Sequence, residues 1–147
     1  MTKIALNKDY GGFGLSHAAI MRLAELKGIK LYPIEQINVG RDYRKPRVYR
    51  HLPIGVSADD TPFVHYITQP LNNDGTYPEE AYWSEYEAYK DRTDPLLIQV
   101  IEELGSQKAS GDCAHIDIVE IPDDVTDWVI DNYDGIEHVE EAHREWY

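Results

Sequence analysis

At 147 residues, with 42% hydrophobic and 28% charged residues, the chain has the length and composition of one globular domain that needs no disulfide or metal to hold its core. No apolar run approaches the about eighteen residues of a bilayer span, and Cys113, the single cysteine, excludes an intramolecular disulfide, a CxxC redox pair and a cysteine zinc site. The net charge of −13 is unevenly held: residues 1–58 carry ten Lys/Arg against four Asp/Glu, and residues 59–147 carry four against twenty-three. Either the halves neutralise one another by packing, or one of them addresses a charged partner. Met1–Lys8 has neither the apolar run nor the cleavage site of a secretory signal, so the cytoplasm is the expected location.

In chain order, Ile4 and Leu6 alternate with polar residues and predict a first strand that ends at the glycine cluster Tyr10-Gly11-Gly12-Phe13-Gly14. Ser16 has the chemistry of an N-cap, and the spacing of Ile20, Leu23, Ala24 and Lys27 predicts a helix over 17–27 that Gly28 stops. Residues 29–34 alternate again. The chain therefore opens with a β-loop-α-β unit, a connection that usually sets its two strands parallel in one sheet. Turn residues dominate from Glu35 to Asp60, with one short strand predicted over 47–50, and residues 61–69 read as another strand. Tyr82, Tyr86 and Tyr89 fall at helical spacing and predict a helix over 78–91 whose aromatic stripe enters the core.

The next helix is punctuated at both ends: Asp94 as N-cap, Pro95 at the first position, Leu96–Leu104 as apolar body and Gly105 just past the end. Residues 115–121 and 127–132 alternate on either side of Pro122-Asp123-Asp124. They predict a hairpin with Ile118, Trp128 and Ile130 inward and Asp117, Asp127 and Asp131 facing water. Tyr133-Asp134-Gly135 reads as a break, after which Ile136, Val139, His143 and Trp146 predict a last helix over 136–146. The expected fold is a single domain over 1–147, α/β or α+β, with central helices and a C-terminal hairpin followed by a helix.

Two segments carry candidate binding chemistry. Gly11, Gly12, Phe13, Gly14 and Ser16 lie between a strand and a helix N-terminus, where unpartnered first-turn amides and the helix dipole favour an anion. The segment lacks the lysine of a Walker A loop and the spacing of a dinucleotide fingerprint, so a tight structural turn stands beside the anion reading. Arg41, Tyr43, Arg44, Arg47, Tyr49 and Arg50 form a basic stretch: guanidinium groups fork onto phosphates, and tyrosine rings stack on bases. The same charges also suit a counter-charge to the acidic half. Residues 112–147 hold twelve Asp/Glu against one Arg, an array that either imitates the phosphates of a nucleic acid or is a solvated face. Asp123, Asp124, Asp127 and Asp131 do not have EF-hand spacing. HExxH, GxSxG and a Cys/His pairing are all missing, so no catalytic residue, metal or cofactor is assigned and the expectation leans away from an enzyme.

The block Ile4–Ser16, with its Tyr-Gly-Gly-Phe-Gly-Leu-Ser run, resembles a family of small proteins encoded by tailed bacteriophages. So do Asp94-Pro95-Leu96, Ile118–Val125, Tyr133–Glu137 and His143-Arg144-Glu145-Trp146. The resemblance covers roughly the first 35 and the last 55 residues. It implies an accessory protein made in the cytoplasm of the bacterial host, where small acidic phage proteins often counter host defences. The expectation that follows is a non-enzymatic binding protein that sequesters a phosphate-bearing nucleotide signal through the two loops. The alternative is an acidic protein-protein inhibitor that covers the nucleic-acid-binding surface of a bacterial defence protein. A nucleotide-acting enzyme and a virion component rank behind these. No membrane and no direct nucleic-acid binding is expected, and a homo-oligomer is compatible with either reading.

Overall fold

In the computed structural model, which describes residues 1–37, 46–53 and 64–141, the chain opens on strand β1 (Thr2–Asn7), helix α1 (His17–Lys27) and strand β2 (Tyr32–Gln36). The caps of α1 are those its sequence predicts: Ser16 Oγ accepts the Ala19 amide, and Gly28, at φ 72°, closes a left-handed C-terminal turn. The two strands are not parallel neighbours, which corrects the β-loop-α-β expectation. β1 pairs antiparallel with β6 (Ile116–Ile121), Ile4 opposite Val119 and Leu6 opposite Asp117. Its other edge is occupied, because the Ala5 amide donates to the Arg92 carbonyl at 2.9 Å and the Asn7 amide to the Glu137 carboxylate at 2.8 Å. A parallel β2 finds no free amides there to pair with.

β2 lies instead in a four-stranded antiparallel sheet of order β3-β2-β4-β5, with β3 (Tyr49–His51), β4 (Val64–Ile67) and β5 (Tyr82–Trp83). The helix expected over 78–91 is largely replaced. Glu79–Ala81 makes one 3-10 turn, Tyr82 and Trp83 pair with Ile67 and Tyr66, and only α2 (Tyr86–Tyr89) is α-helical. Adjacent aromatic residues suit a pleated edge, and the Ser84 hydroxyl and carbonyl collect the amides of Tyr86 and Glu87, which starts a new turn. Tyr82 and Tyr86 are consequently exposed, and only Tyr89 of the three is half-buried.

Helix α3 (Pro95–Ala109) begins as expected: Asp94 Oδ1 accepts the Leu96 amide at 3.0 Å, and Leu97, Ile98, Val100 and Ile101 are buried. Gly105, at φ 80° and ψ 161°, breaks the regular helix, but one more turn through Ala109 follows it. α1 and α3 pack antiparallel, tied at one end by Lys27 and Asp94 at 2.7 Å and at the other by the Ser16 amide on the Ala109 carbonyl. With β1 and β6 they enclose the main core, and a smaller core of Ile34, Tyr49, Ile67 and Ala81 lies against the four-stranded sheet. The described residues make one mixed α/β domain, and none of its helices is long and apolar enough to cross a membrane.

The C-terminal hairpin has other partners than expected. β7 (Trp128–Tyr133) pairs not with β6 but with β8 (Ile136–Glu141), around a two-residue loop of Asp134 and Gly135 at φ 53° and 93°. An Asp-Gly pair with both residues at positive φ is the favoured two-residue hairpin turn, since its twist matches that of the strands. Residues 136–141, expected as helix, are therefore strand; 142–147, with His143 and Trp146, lie outside the described residues. Asp117, Asp127 and Asp131 face water as expected and Ile118 packs half-buried on the main core, but Trp128 and Ile130, expected inward, are only half-buried and join neither core, since β7 pairs with β8 rather than β6.

Candidate functional site

The glycine loop is packed on one side against the rest of the chain, with Gly11 exposed and Gly12, Phe13 and Gly14 half-buried. Gly135 lies so close that a Cβ on it would fall 2.4 Å from the Gly12 nitrogen and 2.5 Å from that of Gly11, and a Cβ on Gly11 would meet Cys113 Cβ at 2.9 Å. The Gly14 carbonyl accepts the Gly111 amide at 2.8 Å, and Ser16, buried, donates its hydroxyl to the Lys108 carbonyl while it caps α1. The groups gathered at the N-terminus of α1 are thus the carbonyls of Lys108 and Ala109, which carry the same sign of partial charge as an anion. Phe13 turns inward, with the Arg92 guanidinium carbon 3.9 Å over its ring and the Tyr89 ring centre 4.7 Å away.

Arg92 and Glu137, which sequence reasoning left without a role, organise this region. Arg92 Nη1 and Nη2 donate to the Glu137 carboxylate at 2.7 and 2.9 Å, Nη1 also to the Ala5 carbonyl, and Nε to the Tyr89 carbonyl. The two side chains are only 15% and 5% exposed. Asn7, fully buried, completes the clamp: Nδ2 donates to the Asp9 and Gly135 carbonyls, and Oδ1 accepts the His115 amide. A buried pair whose remaining donors and acceptors are also satisfied holds its charges in place.

Of the basic stretch, Arg41, Tyr43 and Arg44 lie outside the described residues. Tyr49 is buried beside Tyr77, ring centres 5.2 Å apart; burial and the hydrogen bond with Tyr49 push the Tyr77 phenol up to about 12. Arg50 is exposed and pairs with Glu35 across β2 and β3. Arg47 is exposed, and burial together with the Arg47 charge holds the His65 imidazole below the usual histidine value. Among the described residues, no hydrogen bond, ion pair or ring contact links Gly11, Gly12, Phe13, Gly14 or Ser16 to Arg47, Tyr49 or Arg50.

The C-terminal segment is rich in exposed carboxylates, of which Asp123 pairs with the Met1 ammonium at 2.9 Å and Glu120 lies opposite Lys3. From Asp112 to Glu141 the chain has no lysine or arginine, and of its eleven carboxylates ten are exposed, Glu137 alone being buried. On the hairpin, Asp131 stands opposite His138 and Val129 opposite Glu140, so these four and Tyr133 share one face. That face looks outward, with Val129 48% and Tyr133 77% exposed, while the other face carries Glu137 into the clamp. Asp131, His138 and Glu140 each bring one ligand atom within 4.8 Å of the others, a spacing that a metal ion accepts; His138 Nε2 is 2.7 Å from Glu140 Oε1 and 3.6 Å from Asp131 Oδ2.

A cleft of roughly 270 Å³ opens between β4, β5 and α2. His65 and Tyr66 line it from β4, Tyr82 and Trp83 from β5, Tyr86 and Tyr89 from α2, with Ser84 and Glu85 between. Its rings meet edge to face, Tyr66 and Trp83 at 83° and Tyr86 and Tyr89 at 84°. The Tyr66 hydroxyl, 2.7 Å from His17 Nδ1, ties the cleft to α1. Glu85 is an exposed residue, yet partial burial raises its carboxyl above the usual glutamate value. Comparison with known protein families, with characterised proteins and with solved structures finds no match to this chain.

Proposed function

We propose that the chain is a non-enzymatic binding protein that covers a basic surface of a partner protein with the acidic face of β6, β7 and β8, and so acts as a counter-defence inhibitor of a nucleic-acid-binding protein in the bacterial cytoplasm. The observation that carries this reading is the run from Asp112 to Glu141, with ten exposed carboxylates and no lysine or arginine. A surface of one sign speeds encounter with a partner of the other and competes with nucleic acid for the same lysines and arginines. Tyr133 and Val129 add what a merely solvated acidic face lacks, exposed apolar area set among the carboxylates, of the kind enriched at the centres of interfaces. The hairpin is also held in advance of binding, since Glu137 locks β8 to Arg92 and to the Asn7 amide, which lowers the ordering cost of association. Sequestration of a phosphate-bearing nucleotide draws less support, because Gly135 packs against the nitrogens of Gly11 and Gly12 and carbonyls face the N-terminus of α1.

The test is affinity capture from a bacterial lysate with the parent chain and, in parallel, the variant Asp127→Asn/Asp131→Asn/Glu140→Gln, followed by mass spectrometry and by challenge of the captured complex with duplex DNA. The reading expects a nucleic-acid-binding protein that the parent retains, the variant loses and DNA displaces. Identical captures by parent and variant, or a complex indifferent to DNA, overturn it.

A further inference from the structure

We infer that the cleft between β4, β5 and α2 is a binding site for an organic cation, a guanidinium or alkylammonium head group held by aromatic faces and the Glu85 carboxylate. The site uses none of the residues of the acidic hairpin and stands independently of the function proposed above.

Among the described residues, six ring-bearing side chains line the cleft and no lysine or arginine does, although the Arg47 charge reaches His65. Aromatic faces carry the negative end of a quadrupole, and the near-perpendicular pairs Tyr66 with Trp83 and Tyr86 with Tyr89 place rings of two orientations in the lining. Glu85 supplies the formal negative charge of the lining among the described residues. Among the described residues its carboxylate has no ion pair and no hydrogen bond, and it does not cap α2. Partial burial disfavours its ionised form, and a cation in the cleft reverses that penalty. The fold already contains this chemistry beside the cleft, where the Arg92 guanidinium carbon sits 3.9 Å over Phe13 and 5.5 Å from the ring of Tyr89, itself a lining residue. A nucleotide, by contrast, finds rings but, among the described residues, no lysine or arginine in the lining for its phosphate, and Glu85 repels it. At roughly 270 Å³ the cleft sits just below the usual range for whole small-molecule ligands and suits a head group with its methylene stem.

The test titrates choline and N-acetyl-arginine amide into the full chain and follows their proton NMR signals. Their neutral analogues, 3,3-dimethylbutanol and N-acetyl-citrulline amide, are run alongside, with adenosine monophosphate as the competing class. The ring currents of the lining should move the methyl and methylene signals of the cations upfield with saturation, and the neutral analogues should bind at least about tenfold more weakly. Glu85→Gln should weaken cation binding by about tenfold or more. Tyr86→Ser, at a residue 56% exposed, should weaken it severalfold with only a small fall in melting temperature from the lost ring contact with Tyr89. Equal affinity for the free cation and for an arginine-containing peptide assigns the site to a small molecule; tighter binding of the peptide assigns it to the side chain of a partner. Neutral analogues that bind as well as the cations, preference for adenosine monophosphate, an unaffected Glu85→Gln variant, or no saturable shift each overturn the inference.

Discussion

Replacing Glu137 by alanine asks whether the fold closes on a buried ion pair. In the parent, the carboxylate is 5% exposed and accepts the Asn7 amide at 2.8 Å and both terminal nitrogens of Arg92 at 2.7 and 2.9 Å. Truncation leaves the guanidinium, 15% exposed, with only the carbonyls of Ala5 and Tyr89, and leaves the Asn7 amide without an acceptor. Removing one partner of a buried pair costs about 3–5 kcal/mol and orphaning a buried amide about 1–3 kcal/mol. These losses overlap, because one oxygen serves both donors, so a total of about 4 kcal/mol is expected rather than the sum. That is a large share of the roughly 5–15 kcal/mol that holds a domain folded. Urea denaturation followed by tryptophan fluorescence should show a much lower midpoint at an unchanged slope. Glu137→Gln keeps an acceptor for Asn7 and should lose about half as much, and the Glu137→Ala/Arg92→Ala double variant should lose about 2 kcal/mol less than the two single losses added together. A Glu137→Ala loss below about 1 kcal/mol, or strict additivity in the cycle, would refute the clamp.

Gly135→Ala should destabilise by at least about 2–3 kcal/mol in the same assay, because the residue sits at φ 93° and its Cβ would enter the glycine loop; a neutral result would show that the loop yields. Asp94→Ala should cost about 1 kcal/mol through the uncapped Leu96 amide, and Asp94→Asn, which can still cap, less. Burial works to raise the Asp94 carboxyl, but Lys27 and the amides of Leu96 and Leu97 outweigh it and hold the group below the usual aspartate value. Its contribution is therefore present above the unfolded value and lost as pH falls through the folded one; the stability gap between parent and Asp94→Asn should shrink on acidification, and a gap that widens contradicts the sign. Tyr77, pushed up to about 12, should be the late step in a phenolate absorbance titration of the eleven tyrosines, a step that Tyr77→Phe removes. Because the folded value is the higher, its stabilisation holds below the ordinary tyrosine range and disappears as pH rises towards about 12.

Local chemistry was legible wherever one residue decides a turn: Ser16, Gly28, Asp94 and Pro95 mark helix limits in the sequence and in the structure alike, whereas Gly105, expected to end α3, breaks it internally and a further turn runs to Ala109. Pairing was not, because alternation identifies the faces of a strand but not its neighbour. β1 lies beside β6, more than a hundred residues on, and nothing local distinguishes that partner from β2. The Asp134-Gly135 turn was readable as a hairpin signal, and a helical spacing of Ile136 and Val139 that a strand also accommodates obscured it. The tyrosines at 82, 86 and 89 show the same coincidence of period, broken at Ser84. Of the candidate sites, the acidic segment followed from composition alone, whereas the Arg92 and Glu137 clamp, 45 residues apart in the chain, had no local signal. The same clamp decides that the glycine loop is packed against Gly135 rather than open.

The acidic face is tested most directly by the affinity of the captured partner for the parent chain and for Asp127→Asn/Asp131→Asn/Glu140→Gln across rising salt. Docking through this surface predicts binding that weakens at least about tenfold between low and physiological ionic strength. It also predicts a variant at least about tenfold weaker at low salt and less sensitive to further salt than the parent, with nothing changed in its melting temperature. An affinity that neither salt nor the three neutralised carboxylates alters would contradict it.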